Sequence, residues 1–235
     1  MKIIDAFWEK RNLGVTCYEL SVDANETLDS VKNDFETLEE REYMVAKVHS
    51  SNYEVARFFQ EQGYTFIETA LTMVHDLKEI RLPTKLLKVA NRCSWKPMNE
   101  NDLKLAESEI GKNIFQTDRV FLDPCFTKEQ AARRYQLWFK DYVENGDIPY
   151  TVFFDGEPIG FFSKPLAAAY SEYKGTGLGF LVLYAGVCKE KRKGKGKAIV
   201  HVSGNNPMVF RGYSSLGYKL DTIENVFIKH PFMQK

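Results

Sequence analysis

No apolar run in these 235 residues approaches the roughly 20 needed to cross a bilayer, and the amino terminus, MKIIDAFWEKRNLG, lacks the apolar stretch of a signal peptide. The four cysteines, at 17, 93, 125 and 188, have no C-x-x-C spacing, and the four histidines, at 49, 75, 201 and 230, do not cluster with them along the chain. A structural zinc site and a disulfide framework are therefore not indicated, and a reduced, cytoplasmic setting is expected. Excess charge is lacking too. Lys and Arg total 32, as do Asp and Glu, so no global field draws the chain toward nucleic acid or a membrane.

The 44% hydrophobic content is enough for a substantial core, over one large or two small domains, and two are favoured. After Trp8 to Gly14, a strand-like run spans Val15 to Val22. A helix starts at Asn25-Glu26-Thr27, keeps Leu28, Val31, Phe35 and Leu38 at helical spacing, and ends near Glu40. Tyr43 to Val48 reads as a strand, Val55, Phe58 and Phe59 line a short helix stopped by Gly63, and Thr65 to Val74 closes a β-α-β-α-β unit. Asp76 to Arg92, charged and containing Pro83, reads as a connector.

A second unit follows. Asn99 or Asn101 caps a helix carrying Leu103, Leu105, Ala106 and Ile110. The helical segment Lys128 to Asn145 carries Tyr135, Trp138, Phe139 and Tyr142 as a stripe whose default reading is core. Thr151 to Phe154, the turn Asp155-Gly156-Glu157-Pro158, and Ile159 to Ser163 predict a β-hairpin. Beyond a polar, Gly-rich insert, Ser171 to Gly179, the apolar run Phe180 to Val187 is expected to be a central strand.

Lys189, Lys191, Arg192, Lys193, Lys195 and Lys197 then surround Gly194 and Gly196, where a turn could converge amide N–H groups on a pyrophosphate; the plain alternative is a solvated basic loop. Ala198 to Val202 reads as a buried strand. Asn206, Tyr213, Gly217 and Tyr218 follow at offsets that repeat those of Asn52, Phe59, Gly63 and Tyr64, which points to a duplicated half-fold. A phenyl ring has no proton to give, so Phe59 reads as scaffold where Tyr213 could act.

The order from the buried strand to Asn206, Tyr213 and Gly217-Tyr218 resembles the end of a GCN5-related N-acetyltransferase (GNAT), and Lys191 to Gly196 resembles its Gln/Arg-x-x-Gly-x-Gly/Ala signature with Lys in first place. Nearly the whole chain looks like one branch, the TDP-fucosamine N-acetyltransferases. The features are Trp8-Glu9 with Leu13-Gly14, the half-repeat at Asn52 to Tyr64, the Phe115 to Phe121 loop with Arg119, and Tyr135 with Trp138. The resemblance implies an α/β (α+β) fold: a GNAT-like mixed sheet at 93–235, with a shortened cofactor-loop helix, preceded by a partial GNAT-like domain at 1–80 and a connector at 81–92. It implies acetyl transfer from acetyl-CoA to a primary amine of a small molecule, a nucleotide-linked amino sugar being the favoured acceptor. Tyr213 would be the general acid. Val187 or Cys188 would polarise the thioester through a backbone N–H, and Arg192, Lys193, Gly194, Lys195, Gly196 and Asn206 would hold the cofactor. Asp118 and Arg119 would meet the acceptor, and no metal is implied. No base is assigned; Glu224 and a water chain are equally open. The expected partner is the small-molecule amine, with no membrane and no nucleic acid, and a homodimer is allowed. The competing reading, drawn from the shortened helix and from Lys191 in the first place of the signature, is a non-catalytic GNAT-like binding or interaction protein with a degenerate coenzyme A site.

Overall fold

The structure is a computed structural model that describes residues 1–164 and 166–232, with Lys85 described by its backbone alone. In chain order the elements are β1 (Lys2–Asp5), α1 (Trp8–Asn12), β2 (Cys17–Val22), α2 (Leu28–Glu36), β3 (Tyr43–His49), α3 (Tyr53–Glu61), β4 (Thr65–His75), α4 (Thr84–Ala90) and β5 (Cys93–Pro97). They continue with α5 (Glu100–Gly111), α6 (Arg119–Leu122), α7 (Lys128–Glu144), β6 (Tyr150–Phe154), β7 (Glu157–Phe162), β8 (Ala167–Ala169), α8 (Gly179–Arg192), β9 (Ala198–Ser203), α9 (Pro207–Leu216) and β10 (Lys219–Lys229). Two sheets form, a mixed one in the order β1-β2-β3-β10-β4-β9 and an antiparallel one in the order β5-β6-β7-β8.

The last strand ties the molecule together. β10 inserts between β3 and β4, antiparallel to both, so residues 1–75 and 198–229 share one sheet and the connector at 81–92, which holds α4, does not divide two sheets. Its run Val226-Phe227-Ile228 is buried on both faces, as a central strand requires. Phe227 joins Val31, Val55, Phe58 and Phe59 under α2 and α3, while Val226 and Ile228 join Tyr43, Val45 and Val120 on the opposite face, next to α6. In the second sheet, Val152 and Ile159 pack under α8, and Phe161 meets α5 and α7 through Ala106, Ile110 and Phe139.

Local signals explain most boundaries. Thr27 caps α2 through Ser30 N–H, and Asn99, not Asn101, caps α5 in a reciprocal capping box with Asp102. Asp155 and Gly156 take φ of 53° and 89°, the left-handed pair that a two-residue hairpin between β6 and β7 needs. The internal repeat is present as β3-α3-β4 and β9-α9-β10, with Asn52 and Asn206 each at a helix N-cap and Gly63 and Gly217 each left-handed just beyond the helix. The paired strands of the two copies, β4 and β10, lie side by side. Phe59 is fully buried against Phe35 and Tyr64, a scaffold position. Among the described residues no helix is long and apolar enough to cross a membrane.

One element overturns its sequence reading. Phe180 to Val187 is not a strand but the body of α8, a helix of 14 residues. A helix buried on more than one side has no polar face to betray its period, and α8 buries Leu181, Val182, Leu183, Ala185 and Val187 between the two sheets. The helix expected to be shortened is therefore present in full, and it lies before the basic turn rather than after it.

Candidate active site between two sheet edges

β8 ends one sheet and β9 ends the other; the two edges are not paired with each other, and α8 runs from the end of the first to the start of the second. Both edges meet the same core cluster, in which Ala167 of β8 lies with Phe180, Leu183 and Tyr184 of α8, Val200 and Val202 of β9, and Tyr213 of α9. Tyr170 N–H donates to Ile159 and Leu166 C=O accepts from Ser163, so those residues turn their backbone groups toward β7. By strand alternation Ala167 and Ala169 turn theirs toward the open edge. Three successive alanines keep that edge shallow.

The turn that leads into α8 reads Gly175-Thr176-Gly177-Leu178-Gly179. Gly175 and Gly177 hold φ of 81° and 85°, a left-handed backbone that costs a side-chain-bearing residue strain. The N–H groups of Lys174, Thr176, Leu178, Phe180 and Leu181 all find acceptors within the turn, whereas those of Gly175, Gly177 and Gly179 have none among the described residues. No side chain caps the helix and no acidic residue stands in its first turn. Alternate free amides at the positive end of a 14-residue helix have the chemistry to accept an anion's oxygens. The spacing of the signature, x-x-x-Gly-x-Gly, recurs here as Glu172 to Gly177.

The structure places the sequence candidates as follows. Val187 and Cys188 are interior residues of α8, where backbone N–H groups belong to the helix, so neither ends a strand next to a thioester. Arg192 closes α8, with its guanidinium over the Trp95 ring at 4.5 Å, and Lys193-Gly194-Lys195-Gly196 follow at the helix C-terminus. That end carries the negative pole, and basic side chains there stabilise the helix itself. Lys195 pairs with Glu190, Lys191 donates to Lys78 C=O at 2.6 Å, and Lys189 lies over the Tyr150 ring at 4.2 Å. Thus the basic turn sits roughly 20 Å along the helix from the free glycine amides, at 1.5 Å per residue.

Asn206 caps α9 through Val209 N–H at 3.2 Å, which is the plain structural role for it. Tyr213 lies on α9 with its ring edge-on to Tyr218 at 4.9 Å, and burial pushes its hydroxyl up to about 12, so it stays protonated at neutral pH. His75 anchors the end of this helix: its Nδ1 accepts from Leu77 N–H, which leaves Nε2–H to donate to Leu216 C=O at 3.1 Å.

Asp118 and Arg119 sit inside the protein. Asp118 caps α6 through Phe121 N–H and lies 3.6 Å from Arg134. Arg119 is buried, 2.5 Å from Glu19 and 3.6 Å from Glu9, and its own N–H donates to Glu68. Glu9 also binds Arg134 at 2.7 Å, and Lys47 binds Glu19 at 2.7 Å. This network clamps α1 and β2 against α6 and α7, and its polar groups are mostly spent on one another.

Glu19 gives it a pH signature. Burial alone pushes its carboxyl up, but Arg119 and Lys47 outweigh burial and hold it down at about 2. A folded-state value below the unfolded one adds stability that is full above the ordinary carboxylate range and is lost as pH falls toward 2. Glu19→Gln is expected to flatten the acid limb of a stability-versus-pH curve between about pH 4.5 and 2. An unchanged limb would remove Glu19 from acid unfolding.

The fold, with β8 and β9 as edges of two separate sheets and α8 between them, is similar to that of solved GCN5-related N-acetyltransferases. A structure of that class from Sphaerobacter thermophilus aligns with a TM-score of 0.54 at 12% identity, covering 88% of this chain and 67% of the other. One from Kribbella flavida aligns at 0.51 and 13%, covering 93% and 82%. A GCN5-related glucosamine N-acetyltransferase region of a fungal multi-domain β-N-acetylglucosaminidase aligns at 0.55 and 14%, covering 79% of this chain and 25% of the other. No protein-family model matches the chain, and no curated protein sequence does.

Proposed function

We propose that the chain is an acyltransferase that moves an acetyl group from acetyl-CoA to the primary amine of a small molecule. The observation that carries this is the set of unpaired amides of Gly175, Gly177 and Gly179 at the N-terminus of α8, opening beside two unpaired strand edges. These residues fit the pyrophosphate of coenzyme A, which supplies the acetyl thioester when bound. The amides and the helix pole would hold the two phosphates without any cationic side chain. The outward N–H of Ala167 or Ala169 would donate to the thioester oxygen as it gains charge. Attack of the free amine forms the C–N bond and breaks the C–S bond, the amine loses one proton to solvent or a nearby base, and Tyr213 gives its hydroxyl proton to the departing sulfur. The acceptor we favour is a nucleotide-linked amino sugar, acted on in the cytoplasm, on the resemblance carried by Trp8-Glu9, Arg119, Tyr135 and Trp138. That a neighbour of the same fold is a glucosamine N-acetyltransferase region accords with an amino-sugar acceptor.

Calorimetric titration with acetyl-CoA tests the donor, and absence of heat at millimolar ligand would end the proposal. Tyr213→Phe is expected to lower turnover by more than about tenfold while leaving acetyl-CoA affinity nearly unchanged. Equal turnover would take Tyr213 out of the mechanism.

A further inference from the structure

A second cluster lies apart from the cleft, where the loop between α6 and α7 meets the end of β10. We propose that Asp123, Cys125 and His230 form a binding site for a divalent metal of the zinc class, closing that loop onto the last strand. One ligand atom from each lies within 4.8 Å of the other two. Asp123 and Cys125 share one turn, and β10 brings His230, distant in sequence, to it.

The site is largely built. Asp123 is 1% exposed by its side chain, and one of its oxygens accepts Cys125 N–H at 2.9 Å, which fixes the turn. Its other oxygen takes the Nε2–H of His230 at 2.8 Å. The imidazole is held in plane by stacking on Tyr43, 4.8 Å between centroids at 24°, and by the edge of Phe126. Its buried Nδ1 has no partner among the described residues, although a buried ring nitrogen ordinarily finds one. Cys125 is exposed, which gives an entry path and leaves a side from which water could supply a fourth ligand.

The donor set chooses the metal. A thiolate, an imidazole and a carboxylate suit zinc, while calcium and magnesium call for oxygen ligands throughout. Tetrahedral bonds of about 2.0–2.3 Å would draw the three atoms to roughly 3.4 Å from one another. The exposed Cys125 side chain can supply most of that movement. Binding releases the Cys125 thiol proton to solvent and exchanges the Asp123–His230 hydrogen bond for a metal bond at Nε2, whose proton passes to the partnerless Nδ1, giving three metal bonds in all.

The test uses the full chain stripped with chelator and titrated with zinc and, separately, cobalt. One equivalent of zinc is expected to bind and raise Tm, and cobalt is expected to give a thiolate charge-transfer absorption. Cys125→Ser should abolish that absorption and weaken zinc by at least about tenfold, the loss usual even for an outer-shell partner. His230→Gln should weaken zinc as well. Cys93→Ser with Cys188→Ser should leave zinc affinity and the absorption intact. Failure to bind zinc would overturn the site, as would an absorption that survives Cys125→Ser or disappears with Cys93 and Cys188; Asp123 and His230 would then be a structural pair alone.

Discussion

Arg134→Met is expected to cost about 3–5 kcal/mol of folding stability, the range found when one partner of a buried ion pair is removed. Arg134 is 2% exposed and Glu9 fully buried, with Nη2 2.7 Å from Oε1 and Nε donating to both carboxylate oxygens at 2.8 and 3.1 Å. Methionine would keep much of the contact with Trp138, whose ring the guanidinium covers at 4.4 Å, so lost packing is the smaller part. The larger part is Glu9, left with Arg119 at 3.6 Å as its nearest charge, and that guanidinium is already committed to Glu19. In a chain of this size the loss corresponds to a fall in Tm of roughly 10 °C. Glu9→Gln in the Arg134→Met background should restore part of it, because a neutral amide is far cheaper to bury than a carboxylate. A single substitution costing less than about 1 kcal/mol would show that solvent reaches Glu9 and that the clamp between α1 and α7 is a surface pair.

This network also shows what sequence could and could not disclose. Arg119 and Asp118 look like binding residues because they stand in a polar loop, but their partners, Glu9, Glu19 and Glu68, are far away in sequence and arrive only through the two-sheet arrangement. The half-repeat was legible because it lives in local signals: an asparagine at each N-cap, a left-handed glycine after each helix, and the same offsets between them. The hairpin at Asp155-Gly156 was legible for the same reason. The insertion of β10 between β3 and β4 was not, since Val226-Phe227-Ile228 marks a buried strand without saying between which neighbours.

The misreading of Phe180 to Val187 had the widest consequence. Eight apolar residues fit a central strand as well as a helix packed on both sides. Taking them as a strand put the expected cofactor loop at Gly194-Lys195-Gly196 and made a helix seem to be missing. With β8 set against β2, Ala168 precedes Asn206 by 38 residues where Tyr18 precedes Asn52 by 34, a difference of about one helical turn and no missing helix. The missing-helix ground for a degenerate, non-catalytic reading goes with that correction. The available signal was the signature spacing at Glu172 to Gly177, directly ahead of the apolar run.

Gly177→Asp is expected to weaken acetyl-CoA by more than about 100-fold, and Gly177→Asn by far less. Both substitutions put a side chain of the same size on a backbone at φ 85°, and asparagine and aspartate tolerate that left-handed conformation better than other residues. Nothing lies within 4 Å of the added Cβ, so neither clashes with the protein. The pair therefore differs in one charge. A carboxylate about 5 Å from a phosphate, at an effective dielectric near 20, meets roughly 3 kcal/mol of repulsion, and every 1.4 kcal/mol is tenfold in affinity. The gap between the two variants should narrow as salt is raised, because the glycine turn is exposed to solvent. Equal affinities for the two variants would mean that the phosphates lie elsewhere, and binding lost instead in variants of Lys193 or Lys195 would return the site to the far end of α8.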